Sequence, residues 1–457
     1  MQNPDMVGGR CARRFSLAVV TAFSAGLAVE ANAQTPSVTF TKDVAPILQR
    51  SCESCHRPGS LAPMSFRTYD EARPWAAAIK RKTMAREMPP WFIEKNIGIQ
   101  HFKDDVSLSD KEIATIATWA DTGAPQGNPA DMPAPMVWSD ASKWSIGTPD
   151  LIVSSPVMTM PAVGADFHDE IGPVATGLTE PRYIKAVEVK EVRLPKGGAP
   201  VAPSKSGYGT FTIHHFGVHS SEAFTEQSGP LENRSRFRMV YSLGQNATVY
   251  PDHTGVLLEA GAELRFTIHL YSSGQEMPVR ADVGFKFHPK GYKPKYAQSG
   301  FISMGAIGDG LDIPAGRDDT RFSGFYTMPQ SGILTTYEPH MHASGKRMCV
   351  EAIYPNQTRE MLNCSAYNHS WARVYVYDDD HAPLLPKGTV LHVMGFYDNT
   401  TKNRNVVDSR NWKGWGNRSI DDMFIFLPKV TFLSEDQFAE VVAERKAKQR
   451  ARLSQND

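Results

Sequence analysis

The most specific chemistry in this 457-residue chain lies in Cys52-Glu53-Ser54-Cys55-His56. Two thiols one turn apart can add to the two vinyl groups of a haem, and the adjacent imidazole then becomes an axial iron ligand. The pentapeptide also occurs in zinc and redox proteins, but a zinc site wants a second ligand pair nearby and the surroundings offer none. A methionine roughly thirty residues on is expected to be the opposite axial ligand. Met88, in Arg86-Glu87-Met88-Pro89-Pro90-Trp91, is the candidate, because paired prolines hold an extended segment. Met64 and Met84 compete with it, and Met84 falls on a helix expected to end near Arg86. A His/Met pair suits electron transfer and not oxygen binding.

Fourteen histidines are present, and it is their grouping that stands out, since a single histidine is ordinarily structural or superficial. His214-His215 close one predicted strand, His269 closes another, and His340-Met341-His342 sit in a third. Both copper oxidation states accept imidazole, and methionine sulfur favours the cuprous one. His340 and His342, two apart, share a strand face and can share a metal. His214 and His215 would face opposite sides of an ideal strand, so they can share one only at a strand end or a bulge. His101, His168, His219, His253, His288, His369, His381 and His392 carry structural readings, with His219 the one to watch for its nearness to the pair. Trp412 and Trp415 read as core.

The elements that must position these residues begin with an export signal. Arg10, Arg13 and Arg14 precede an apolar run over 15–28, which ends at Ala31-Asn32-Ala33 and predicts cleavage after Ala33. The run is shorter than the ~20 apolar residues of a membrane span. Nothing later is apolar enough for stable membrane insertion. Cys11 leaves with the signal, and Cys349 and Cys364 remain on two neighbouring predicted strands. An oxidising compartment allows a disulfide between them; two separate buried thiols is the alternative. Lys+Arg and Asp+Glu both number 49, which gives no net field to draw nucleic acid.

Helical patterning occupies 38–123, where Ser109 and Glu112 form a capping box ahead of the stripe Ile113, Ile116, Ala117, Trp119. Short alternating strands with Gly, Pro and Asn turns follow from about Val137, as in 209–214, 262–269 and 389–396. The expected fold is multidomain: a small all-α domain, then two all-β jelly-roll sandwiches. The divisions are a signal peptide 1–33, the haem module 34–124, a linker 125–140, sandwiches 141–312 and 313–433, and a charged helical tail 434–457. The divide between sandwiches is expected near 310–324.

The segment from Phe40 to Ala124 resembles the small class I cytochromes c, whose Met-Pro loops Met88-Pro89 matches. The larger module resembles the copper type II monooxygenases, the family of peptidylglycine α-hydroxylating monooxygenase and dopamine β-monooxygenase. His214-His215 match that family's His-His pair and His269 its third ligand for the electron-transfer copper. Pro339-His340-Met341-His342-Ala343-Ser344-Gly345-Lys346 matches the His-x-His-x-x-Gly-Lys segment of the oxygen-binding copper. Ser419-Ile420-Asp421-Asp422-Met423 matches the segment that supplies its thioether ligand. The resemblance covers roughly 200–432 and implies two copper ions besides covalent haem c. Copper at His340, His342 and Met423 would bind O2 and abstract hydrogen from a substrate C–H bond. Copper at His214, His215 and His269 would supply the second electron across a cleft between the sandwiches.

The departures bear on substrate. Glu338 stands where the peptide-amidating enzyme has a carboxylate-binding Arg, and Ile425 and Leu427 replace its Asn and Tyr. The clamp is absent, which points away from peptidyl-glycine and toward a small neutral or apolar substrate. Most of the animal enzymes' disulfide cysteines are missing as well. A fused haem module could stand in for ascorbate as one-electron donor, itself fed by a periplasmic electron donor. The alternative is a non-catalytic copper and haem electron-transfer protein. A nitrite-reductase-like reading wants a cysteine-containing blue-copper site, and no cysteine lies near the histidine groups.

Overall fold

The computed structural model describes residues 38–454 except 59, 61, 139–142, 195–211, 221–236, 243–246, 273, 300–301, 372 and 419; at 214, 215, 241 and 242 it describes the backbone alone. The expected signal peptide and its cleavage site lie outside these residues. Most of the regular structure is β-sheet. No helix among the described residues is long and apolar enough to cross a membrane.

Helices dominate the first part. A turn at Phe40–Val44 runs into the helix Ala45–Ser51, which carries Pro46 in its first turn, where a missing N–H costs nothing. Ala76–Met84 packs against Asp110–Asp121. The expected capping box is present: Ser109 Oγ accepts the Glu112 N–H at 3.2 Å, and Glu112 accepts the Ser109 N–H at 2.8 Å. Phe40, Leu48, Ile116 and Trp119 form a small core in which Phe40 rests on Trp119 and Tyr69. Burying each such aromatic contributes about 2–3 kcal/mol.

This helical unit does not close on itself. Ile93–Gly98 leaves it as a strand and pairs antiparallel with Arg359–Ala366, at the edge of the last sandwich. Glu94 grips Arg347 through two hydrogen bonds, and Ile93 and Phe102 enter that sandwich's core. Gly98 sits at φ +65°, where a Cβ would lie 2.0 Å from the Leu362 carbonyl oxygen; only glycine allows the approach. The expected linker also folds back: Gln49 donates to the Ala134 carbonyl at 3.2 Å, and Trp138 to Glu53 at 3.2 Å.

The first sandwich stacks two sheets over one core of Val, Ile, Leu and Phe. One sheet runs in the order Phe167–Ala175, Glu263–Leu270, Ile213–Ser220, Arg238–Ser242. Leu151–Ser154, Met277–Phe287, Arg182–Arg193 and Ala247–Val249 make the other. In the second sandwich Arg359–Ala366, Gly345–Ile353, Val390–Tyr397 and Thr320–Thr327 extend the crossover strand into a five-stranded sheet. Ala297–Gln298, Val430–Phe432, Gly332–Leu334 and Leu384–Leu385 form a facing sheet. The divide therefore falls between Phe287 and Ala297, earlier than the glycine-rich 310–324, because residues 297–299, 302 and 304 are bonded to 426–432. Cys349 and Cys364 are cross-strand partners and form a disulfide of 2.02 Å. The tail is the helix Glu435–Leu453, which buries no residue of its own and holds the sandwich through Lys448 and Arg452 on Asp380.

Candidate functional site

At the end of the Ala45–Ser51 helix the Leu48 carbonyl accepts the Cys52 N–H at 2.8 Å. The next turn brings the Cys55 and His56 N–H groups onto the Cys52 carbonyl at 3.1 and 2.8 Å. Cys52 and Cys55 thus stand on one turn as free thiols beside His56. His56 Nδ1 lies 3.2 Å from the Met64 carbonyl oxygen, an acceptor, so the ring proton sits on Nδ1 and the Nε2 lone pair is left for a metal. Phe66 stacks on the ring at 4.3 Å and 12°. Burial pushes the His56 pKa down, which keeps the imidazole neutral as a ligand must be. Of the three methionines, Met64 packs its side chain on the helical core and Met84 is 56% exposed. Met88 is half-buried ahead of Trp91, whose ring meets Tyr375 of the second sandwich.

In the first sandwich the histidines form a row across one sheet. His269 is the register partner of His168 on one side and of His215 on the other. The His168 and His269 rings are 5.4 Å apart. His214 and His215 open the strand Ile213–Ser220, where closing a strand was expected. The register slips between His269↔His215 and Leu270↔Ile213, so His214 is the extra residue of a bulge. That is the backbone irregularity two adjacent histidines need in order to share a metal. Asp166 lies 2.8 Å from His269 Nε2 and orients the ring.

In the second sandwich the short strand Pro339–Met341 pairs with Phe424–Phe426, His340 opposite Ile425 and Met341 opposite Phe424. His342 and Met423 are the next residues beyond that pairing, one on each strand, and the His340 and His342 rings lie 5.5 Å apart. One buried carboxylate fixes this corner. Asp422 Oδ1 accepts the backbone N–H groups of His342 and Met423, each at 2.9 Å, and Oδ2 accepts that of Ser344 at 2.9 Å. His342 Nδ1 donates to the Arg418 carbonyl at 3.1 Å, again leaving Nε2 for a metal. Burial pushes the His342 pKa down to about 4.

The two groups meet. His369, from the loop after Arg359–Ala366, has its ring 5.7 Å from that of His342 and its Nε2 3.5 Å from the Tyr271 hydroxyl of the first sandwich. The His342 and His168 rings interact electrostatically, as do His269 and His342. Tyr271 lies 5.0 Å from the His269 ring. Sequence reading missed His168, His369 and Tyr271. Only the pairing of Phe167–Ala175 with Glu263–Leu270 reveals His168, and nothing local marks His369. His219 is four residues from His215, about 13 Å along the strand, buried beside Glu170, and outside the cluster.

Glu338 is 5% exposed, with Lys429 Nζ 3.8 Å from its carboxylate. Burial pushes its pKa up to about 7, against the pull of Lys429. Elsewhere His101, Asp378 and His381 bring ligand atoms within 4.8 Å of one another. The two rings are stacked 3.7 Å apart at 16°, which keeps their lone pairs parallel and not convergent on one ion.

No family model matches the chain, and no curated protein does either. Among solved structures, the chain is similar to the N-terminal CBM22-1-CBM22-2 tandem domain of Xyn10C from Paenibacillus barcinonensis, at 9% identity and a TM-score of 0.15, over 65% of this chain and 100% of that one. A chain of the T13 IBDV viral particle is similar at 8% identity and a TM-score of 0.16, over 65% of this chain and 82% of that one. Scores this low carry no argument about the chain's fold or chemistry.

Proposed function

We propose that the chain is an exported, periplasmic or secreted, haem- and copper-dependent monooxygenase of the copper type II class. Its substrate is a small neutral or apolar molecule hydroxylated at a C–H bond, and a cytochrome c module relays electrons from a periplasmic donor. The observation that carries this reading is the meeting of His168, His269 and Tyr271 from one sandwich with His342 and His369 from the other, His168 and His269 facing His342 and Tyr271 reaching His369. The His214 bulge supports it, because it removes the geometric objection to a metal shared by His214 and His215, and so does the anchoring of His342 and Met423 on one carboxylate.

In this reading His214, His215 and His269 hold one copper, and His340, His342 and Met423 the other. Cys52 and Cys55 attach haem c, with His56 and Met88 on its iron. When bound, copper supplies the one-electron chemistry with O2 that C–H hydroxylation requires. The chain's own residues fix the donors. Asp422 anchors the backbone N–H groups of His342 and Met423 on one carboxylate oxygen. The Arg418 carbonyl sets the His342 tautomer, and burial keeps His269 and His342 neutral. Glu338, held beside Lys429, leaves that position without a free cation to grip a substrate carboxylate.

Oxygen uptake by the haem- and copper-loaded protein, screened against apolar and phenolic small molecules, tests the proposal. Uptake that depends on both substrate and reductant is expected, with hydroxylated product in proportion. Two bound coppers and a covalent haem without substrate-dependent uptake would instead favour the non-catalytic electron-transfer protein.

A further inference from the structure

Alternation along the strand Arg182–Arg193 places Val187, Val189 and Glu191 on one face. Val187 and Val189 are buried in the core of the first sandwich, so that face calls for an apolar residue at 191. Glu191 stands there instead, with its side chain only 4% exposed. A carboxylate taken out of water costs several kcal/mol unless hydrogen bonds replace its hydration. Oε1 accepts the Thr212 N–H at 3.2 Å and the Arg193 Nε–H at 3.1 Å. Oε2 accepts the Ile213 N–H at 3.0 Å and shares that of Thr212 at 3.2 Å. The carboxylate therefore crosses from one sheet to the other and grips the two residues directly ahead of the His214 bulge.

Thr212 is held from its other side as well, since its carbonyl accepts the Tyr271 N–H at 2.9 Å. Tyr271 lies 5.0 Å from the His269 ring and has its hydroxyl 3.5 Å from His369 Nε2. One residue thus ties the bulge to the strand that carries His269 and to the contact between the sandwiches. In the second sandwich Asp422 holds the backbone of His342 and Met423 in the same manner. Glu188, three residues before Glu191 and so on the opposite face, supplies a comparison. It is also buried, and it accepts the N–H groups of Ser145 at 2.6 Å and Ile146 at 3.1 Å, with the Ser145 hydroxyl at 2.8 Å. Its grip falls ahead of Leu151–Ser154, a strand that carries none of the histidines.

We propose that Glu191 is a positioning residue for the copper of the first sandwich: by clamping the N–H groups of Thr212 and Ile213 it sets the bulge that lets His214 and His215 serve one metal. This inference rests on the copper reading above. Glu191 touches neither metal nor substrate, and no electron or proton passes through it. It acts through the backbone, as the groups that orient metal ligands from behind commonly do.

The test uses the full-length protein in a His340→Ala background, where the first-sandwich copper is the one expected to remain. Glu191→Ala, Glu191→Gln and Glu188→Ala are added in turn, and chelator competition and cupric EPR read the site without turnover. Glu191→Ala is expected to weaken cupric binding roughly 10–100-fold and to alter the copper hyperfine splitting. Glu191→Gln, which keeps one acceptor oxygen, should fall between it and the parent. Glu188→Ala also removes a buried acceptor and should lower stability, yet leave affinity and spectrum as they were. Unchanged affinity and spectrum in Glu191→Ala, or the same change in Glu188→Ala, would overturn the proposal and leave the copper reading standing. A His340→Ala protein that binds no cupric ion, or whose copper is indifferent to His269→Ala, would remove that reading and this inference together. If Glu191→Ala fails to accumulate, Glu191→Gln carries the same comparison against Glu188→Ala.

Discussion

Asp422 accepts the backbone N–H of His342 at 2.9 Å on the same carboxylate oxygen that accepts the Met423 N–H. Residues eighty positions apart are thereby locked into one corner, and the carboxylate is fully buried. Burial raises the Asp422 pKa, and its hydrogen bonds to Ser344, His342 and Met423 oppose that rise.

Replacing Asp422 with alanine leaves three buried N–H groups without their acceptor. Each such loss costs about 1–3 kcal/mol, so Asp422→Ala is expected to destabilise by roughly 3 kcal/mol or more. Denaturant unfolding measures this directly. Asp422→Ala unfolding at the wild-type midpoint would mean the carboxylate is dispensable.

The crossover strand makes a second prediction. Gly98→Ala sets a Cβ against the Leu362 carbonyl at a φ that L-residues avoid. A loss of about 2 kcal/mol is expected, together with faster proteolysis in 93–103. Glu94→Ala, which breaks the Arg347 pair but keeps the backbone, should cost less. Equal protease resistance in wild type and Gly98→Ala would show that the strand pairing contributes little.

Much of the candidate site was legible because it depends on short-range geometry. His340 and His342 share a face by strand alternation, and the need for a bulge at His214-His215 follows from the same period. His168 and His369 were not legible, since which strands become neighbours is decided by long-range packing. Ile93–Gly98 was hidden too: Ile-Glu-Lys-Asn-Ile-Gly lacks the β-branched alternation of a strand, and its pairing comes from Gly98 and the Glu94–Arg347 contact. The Ser109 cap and the cross-strand disulfide lie at the legible end, being set by neighbours in sequence or on adjacent strands.

The disulfide closes a loop between residues 15 apart, which corresponds to about 3 kcal/mol of lost chain entropy in the unfolded state. Cys349→Ser with Cys364→Ser is expected to lower stability by that order, and dithiothreitol should reproduce the shift in wild type only. A reductant effect that persists in the double variant would assign it elsewhere.

His219 provides a pH signature. Burial, then Arg238 and Arg265, push its pKa down to about 4, from an ordinary value of 6.5. With the folded pKa depressed, the unfolded chain takes up the proton first as the medium acidifies. The contribution is therefore full above pH ~6.5 and is lost as pH falls toward about 4. His219→Gln should flatten the acid limb of stability against pH. An unchanged acid limb would mean the imidazole is already protonated in the folded protein.

Met423 is the sharpest test of the ligand assignment, because it is the one soft donor in the proposed set and comes from a distant stretch of chain. Its N–H shares the Asp422 carboxylate with that of His342, and its carbonyl is held by the Tyr397 hydroxyl at 2.7 Å, so the backbone position survives a change of side chain. Imidazole is a competent copper ligand, whereas thioether sulfur favours the cuprous state that must meet oxygen. Met423→His is therefore expected to keep near-normal copper content while losing most substrate hydroxylation. Met361 and Met394 are the controls, since both pack beside the Cys349–Cys364 disulfide and away from the histidines. Met361→His and Met394→His should lower stability without separating copper binding from turnover. A fully active Met423→His protein would mean that a different methionine supplies the sulfur, and that the register of 339–341 with 424–426 serves packing alone.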